Sequence, residues 1–212
     1  MGRPPVGKPR LTFRRLSGLD RSGPPPPETQ AGAPLRPWTI PNFIGYVRLA
    51  LIPVFLIVQL SSESGTDALG AILFAVIGWS DYLDGIAARV TGQYSRMGAL
   101  LDPVVDRLLV LSGVIVCWNF ELLPRWALAL LAARELFMLV LARYALSRGV
   151  ELKINWLGRW GVWPVFGSLF FAMCGVHWLG LIMLYVGLAL AFAASALYVR
   201  DGLRQARDQG ST

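Results

Sequence analysis

A single histidine, His177, and two cysteines, Cys117 and Cys174, occur in 212 residues. That scarcity, with no metal-type spacing among the three, excludes a zinc or redox centre built on repeated His and Cys ligands. Both cysteines fall inside apolar runs and read as buried packing residues. His177 falls at the predicted turn between the fifth and sixth of those runs, as an interfacial polar group. Charge is also scarce, with Asp, Glu, Lys and Arg making 16% of the chain and 13 acids facing 20 bases. Together with 55% hydrophobic residues and eight tryptophans, this excludes a soluble domain of ordinary composition.

Long apolar runs stand in place of what is missing, at 39–60, 68–90, 98–120, 124–147, 159–177 and 179–199. Each is near the ~20 residues that carry a helix across a hydrocarbon core. The expectation is an all-α, polytopic membrane protein with six transmembrane helices over 37–201. A disordered basic cytoplasmic tail is expected over 1–36 and a cytoplasmic C-terminal tail over 202–212. Six spans leave no room for a separate soluble catalytic domain, so any chemistry has to lie within the bundle.

Residues 1–36 hold seven Lys or Arg against two acids and a run of four prolines, Pro24 to Pro27. Such a tail beside a membrane span suits topology and anionic-lipid contact better than a nucleic-acid arm, so no nucleic acid is expected as a partner. No apolar stretch follows Arg14 and Arg15, which argues against a cleaved targeting peptide. Basic residues mark the tail, the 89–97 bend, the 143–159 connection and the C-terminal end, while of the alternate loops 61–67 carries Glu63 and Asp67, 120–125 carries Glu121 and Arg125, and 177–180 carries no charge. By the positive-inside rule both termini and the 89–97 bend are cytoplasmic, as in a multi-pass protein of a bacterial-type inner membrane.

Within this apolar chain, four aspartates crowd into 81–106. Asp81 and Asp84 lie three apart and Asp102 and Asp106 four apart, so each pair shares one face of a helix. A polar bend over 91–96 makes the two helices antiparallel, so the pairs can face each other. Ionisable groups at membrane depth are costly and mark function by default. Their mutual repulsion calls for a hard divalent cation or two, since all-oxygen ligand sets suit magnesium, calcium or manganese. Arg48, a turn or two inside the first run, either snorkels to the headgroups or faces the acidic cleft to balance phosphate charge. Arg134 and Glu135, as neighbours about a hundred degrees apart on a helix, are not expected to pair. Arg134 is free to meet an acid of the cluster or a substrate phosphate. Gly161, Pro164 and Gly167 in the fifth run allow a kink or close helix approach, and 189–196 reads as packing surface without chemistry.

Written out, Asp81-x2-Asp84-Gly85-x2-Ala88-Arg89-x8-Gly98-x3-Asp102-x3-Asp106 resembles the signature of the CDP-alcohol phosphatidyltransferase family at all eight fixed positions. The segment Pro-Asn-Phe-Ile-Gly-Tyr-Val-Arg at 41–48 is similar to the family's opening of the first helix. The resemblance implies transfer of a phosphatidyl group from CDP-diacylglycerol to an alcohol with release of CMP, in a cavity within the cytoplasmic leaflet. It implies two Mg2+ or Mn2+ ions on Asp81, Asp84, Asp102 and Asp106, with Asp106 also the general base. Contacts to CDP-diacylglycerol are then expected from Asn42, Gly45, Arg48, Gly85, Ala88, Arg89, Ser95 and Gly98. One departure is Gly45, where relatives often carry Ser or Thr, so a hydroxyl contact is lost. A homodimer is implied as well.

The 98–106 and 132–135 segments are similar to bacterial phosphatidylglycerophosphate synthases, which implies sn-glycerol 3-phosphate as acceptor. Arg134, Arg143, Arg148, Lys153 and Arg159 are the candidate acceptor contacts, or else ordinary positive-inside charges. Those enzymes commonly carry a lysine-rich patch where this chain has Gly-Arg-Trp-Gly-Val-Trp at 158–163. That loss leaves phosphatidylglycerol, and so a cardiolipin synthase, as the alternative, with inositol phosphate a third. A cation transporter, or a structural ion-pair hairpin against Arg89, Arg96 and Arg107, would also use the acids, but neither accounts for the small residues at fixed offsets. CMP release from CDP-diacylglycerol separates these classes.

Overall fold

The computed structural model describes residues 34, 36–91, 93–147 and 156–209. Among the described residues six helices follow in order: α1 Ile40–Leu60, α2 Ala68–Thr91, α3 Arg96–Asn119, α4 Arg125–Ser147, α5 Trp156–Met173 and α6 His177–Gln209. No strand occurs among the described residues. The apolar runs thus become helices, and α6 continues past residue 199 into the segment read as a C-terminal tail. The Arg-rich part of 1–36, Arg148 and Lys153 lie outside the described residues, as do the side chains of Arg89, Arg143 and Arg159.

Local chemistry sets the helix starts. Thr39 caps α1 through its side chain and a proline sits in the first turn, where its missing N–H costs nothing. Asp67 Oδ2 accepts from the backbone N–H groups of Leu69 and Gly70 at 3.0 and 3.3 Å, capping α2. Ser95 caps α3, its Oγ accepting from Gly98 N at 3.0 Å. Between α5 and α6 the chain turns at Gly175, whose φ of +77° is open to glycine without strain.

Among the described residues three stretches, Ile40–Leu60, Ala68–Ala88 and His177–Leu197, are long and apolar enough to cross a membrane. The others carry charge, Asp102, Asp106 and Arg107 in α3 and Arg134 and Glu135 in α4, or, in α5, a shorter apolar part, Gly161–Met173. Large apolar side chains face outward on several helices, among them Phe43, Ile57, Trp79, Val140, Trp163 and Trp178. In water such a surface would drive aggregation, whereas in lipid it is the natural exterior. The protein is a helical membrane protein.

The core runs through the middle of the bundle. Phe55 of α1, Phe74 of α2 and Phe166 of α5 form a ladder with ring centroids 5.4 and 5.6 Å apart, beside buried Ile77, Leu109, Leu128 and Leu169. Helices α5 and α6 pack as a tight hairpin because Gly187 lets the backbones meet: a Cβ there would lie 3.0 Å from Val165 N. Pro164 sits within α5 without ending it. Cys117 is buried as expected, but Cys174 is exposed, because α5 ends at Met173 and leaves it on the connection rather than in the packed helix.

Candidate active site

Helix lengths alone bring the acids to one level. Helices α1 and α3 both run away from the 91–96 bend and α2 runs toward it. At about 1.5 Å per residue, Arg48 lies about 12 Å into α1, while Asp102 and Asp106 lie about 9 and 15 Å into α3. Counted back from Thr91, Asp84 and Asp81 lie at about 10 and 15 Å on α2. Two bonds hold this register at the bend. Ile40 N donates to Gln93 Oε1 at 3.1 Å, and Ser95 Oγ donates to Asn42 Oδ1 at 2.8 Å.

At that level the Arg48 guanidinium stands among the carboxylates. Nη1 donates to Asp81 Oδ1 at 3.0 Å and Asp84 Oδ2 at 3.2 Å, Nη2 to Asp106 Oδ1 at 2.7 Å, and Nε to the Ile77 carbonyl at 3.1 Å. Arg48 is 1% exposed, so the snorkelling alternative is overturned and the cleft-facing one holds. A planar five-donor fork suits this task, because one rigid group can satisfy three carboxylates and a carbonyl at once. Asp84 is buried, while Asp81, Asp102 and Asp106 are half-buried. Asp102 has no hydrogen-bonding or ion-pairing partner among the described residues. If all four were ionised, the carboxylates would outnumber the one guanidinium by three formal negative charges.

Whether this set suits a divalent cation turns on its chemistry. The donors are all carboxylate oxygens, on two facing helices, with excess negative charge and one acid unpartnered, which fits a hard cation. Among the described residues no three acidic, His or Cys side chains stand close enough to hold an ion as they are placed. Arg48 lies between three of the four acids instead.

Asn42, Ser95 and Gly98 also come together. Asn42 Nδ2 donates to the carbonyls of Arg36 and Pro37 at 3.0 and 3.1 Å, and its Oδ1 takes the Ser95 hydroxyl. These groups therefore hold the α1 and α3 starts to each other. Gly45 meets α3 as well, since a Cβ there would lie 2.9 Å from Leu101 Cδ2. Gly85 and Ala88 lie half-buried on the same helix as Asp81 and Asp84.

On α4 the outcome differs from expectation. Arg134 and Glu135 do pair, Arg134 Nη1 with Glu135 Oε1, and Arg134 Nε donates to Ser195 Oγ of α6 at 3.3 Å. Buried Glu135 needs a cation, and a long guanidinium can reach round a hundred degrees of helix to supply it. Glu135 Oε2 also lies 3.8 Å from Nε of Arg107, the residue after Asp106. Glu135 thus ties α3 to α4, and Ser195, in a segment read as mere packing, ties in α6. The signal for Glu135 was an acid inside an apolar run, which spacing alone could not pair. A groove of about 730 Å3 opens between α4 and α6, with Leu130, Phe137 and Phe192 as walls and Arg134, Ser195 and Arg200 as polar members. His177 lines a pocket with Glu121, Arg125 and Trp178, and none of the four aspartates borders it.

The sequence profile described as CDP-alcohol phosphatidyltransferase matches residues 38–194. A cardiolipin synthase (CMP-forming) of Streptomyces coelicolor is 35% identical over 167 residues, 76% of this chain and 77% of that protein. A CDP-diacylglycerol–glycerol-3-phosphate 3-phosphatidyltransferase of Bacillus subtilis is 32% identical over 138 residues, 59% of this chain and 72% of that protein. One of the same name from Cereibacter sphaeroides is 24% identical over 218 residues, 81% of this chain and 99% of that protein. With the acids of α2 and α3 converging inside the matched region, the chain belongs to the CDP-alcohol phosphatidyltransferase family.

Proposed function

We propose that the α2–α3 cleft is where a phosphatidyl group passes from CDP-diacylglycerol to sn-glycerol 3-phosphate. The carrying observation is that Asp81 and Asp84 of α2 and Asp106 of α3 share the Arg48 guanidinium. That the enzyme is a phosphatidyltransferase using CDP-diacylglycerol and an alcohol follows from its family. The metal, the residue roles and the acceptor are the proposal.

In this reading Asp81, Asp84, Asp102 and Asp106 would hold two divalent cations, Mg2+ or Mn2+. When bound, these would neutralise pyrophosphate charge and stabilise departing CMP. Asp106 accepts the proton of the acceptor hydroxyl. That oxygen bonds to the phosphorus bearing the diacylglycerol, the bond from this phosphorus to the CMP oxygen breaks, and CMP leaves with the electron pair. Asn42, Gly45, Gly85, Ala88, Arg89, Ser95 and Gly98 border the nucleotide lipid, the small ones by letting backbone come close. Arg48 contributes by position, its donors being directed at the carboxylates.

For the acceptor, the Bacillus and Cereibacter relatives support sn-glycerol 3-phosphate, with Arg134, Arg143, Arg148, Lys153 and Arg159 as the cationic side. A second reading has two observations behind it. The Streptomyces relative is named a cardiolipin synthase, and the α4–α6 groove is apolar except at Arg134, Ser195 and Arg200, as suits a lipid acceptor such as phosphatidylglycerol. All six helices are proposed to span, with the cavity in the cytoplasmic leaflet, both termini cytoplasmic, 37–201 as the membrane unit, and a homodimer as the assembly. Purified protein given CDP-diacylglycerol and each acceptor separately decides between the two. Product from phosphatidylglycerol with none from glycerol 3-phosphate would overturn the first reading.

A further inference from the structure

Arg48 raises a question that the transfer reaction leaves open. An arginine buried to this degree is costly unless fully paired, and here every bond it makes goes to the site: three aspartates and the carbonyl of Ile77. Its three carboxylate partners lie 33, 36 and 58 residues away in sequence, so the contact joins three helices and is tertiary in origin. The Ile77 carbonyl also accepts from Ser80 Oγ at 2.7 Å, which fixes the anchoring end of the guanidinium while Nη1 and Nη2 reach the acids. Four of the five guanidinium N–H donors are engaged in this way, more than a group offering only its charge to a substrate phosphate would require.

We infer that Arg48 is a resident counter-ion that competes with the divalent cations, holding Asp81, Asp84 and Asp106 together in the metal-free enzyme and giving up carboxylate bonds as metal loads. This rests on the proposed metal reading. The physical basis is simple. Without Arg48, three carboxylates in and beside a low-dielectric helix bundle would repel one another and spread. With it, the cluster stays assembled before metal arrives, and the same positive charge lowers metal affinity. Arg48 is thus a positioning residue that makes metal binding a reversible exchange of one cation for another. Metal should consequently stabilise the wild-type fold only modestly, because the site is already charge-compensated.

The test uses chelator-treated full-length protein in detergent, with Mn2+ titrated while its free electron-paramagnetic resonance signal is read. The thermal midpoint is followed in parallel by tryptophan fluorescence. Arg48→Gln should lower the half-saturating Mn2+ concentration at least about fivefold, since a nearby positive charge has gone. Its metal-free midpoint should fall below wild type, and Mn2+ should raise that midpoint by more than it raises wild type's. Half-saturation equal to or above wild type would overturn the inference. If Arg48→Gln does not fold, Arg48→Lys, whose ammonium has three donors for the four bonds Arg48 makes and lacks the planar fork, should lower half-saturation about twofold. An equal or higher value there would overturn it too. If the wild type binds no Mn2+ that Asp84→Asn removes, the metal reading itself fails and this inference falls with it. If that binding is present but indifferent to Arg48, the inference alone fails.

Discussion

Gly98 lies against Asn42 so closely that a Cβ on it would stand 2.7 Å from Asn42 Oδ1 and 3.2 Å from Ser95 Oγ. The first turn of α3 can therefore seat on the first turn of α1 only when residue 98 is glycine. Gly98→Ala should break the Ser95–Asn42 bond or tilt α3. The expected cost is about 1–2 kcal/mol, the scale of a lost helix cap, with activity falling because Asp102 and Asp106 lie one and two turns further on. Thermal unfolding in detergent beside CMP release checks it; an unchanged midpoint with full activity would contradict the close packing.

Asp106→Asn should reduce turnover about 100-fold or more while CDP-diacylglycerol still binds, because a base lowers the barrier more than it strengthens ground-state binding. Initial rates of CMP release, with a separate nucleotide-lipid binding assay, distinguish the two. Near-full activity would remove Asp106 from the base role.

Glu135→Ala should destabilise the bundle by about 2–4 kcal/mol, since it leaves two largely buried guanidiniums, Arg134 and Arg107, without their shared acid. Glu135→Gln should cost less, because an amide oxygen still accepts. Denaturation midpoints of the two variants, ranked against wild type, are the readout, and a harmless alanine would refute the bridging role.

Cys174 gives a direct test of orientation, being exposed while Cys117 is buried. In the proposed topology of six spans and cytoplasmic termini, the α5–α6 connection would lie outside the cytoplasm. A membrane-impermeant maleimide should label Cys174 in intact spheroplasts and leave it unlabelled in sealed inverted vesicles. The opposite pattern would reverse the proposed topology.

How much of this was legible in sequence depends on distance along the chain. Apolar run length gave the six helices, and the three- and four-residue spacings placed Asp81 with Asp84 and Asp102 with Asp106. Those are local quantities, set by helix geometry. The target of Arg48 was not legible, because its partners are chosen by which faces of α1, α2 and α3 meet. Glu135 was missed as a bridge for the same reason: its second cation, Arg107, sits on another helix. Cys174 was misplaced because α5 ends at Met173, four residues before the end of the apolar run at 177, and that difference separates a packed thiol from an exposed one.

Transfer at the α2–α3 carboxylates is tested most directly by CMP release. Purified wild-type protein is given CDP-diacylglycerol, Mg2+ and sn-glycerol 3-phosphate, beside an Asp84→Asn variant shown to be folded. CMP should appear together with phosphatidylglycerophosphate in the wild type and fall to background in the variant. CMP release that survives Asp84→Asn, or no release with glycerol 3-phosphate or phosphatidylglycerol, would contradict it.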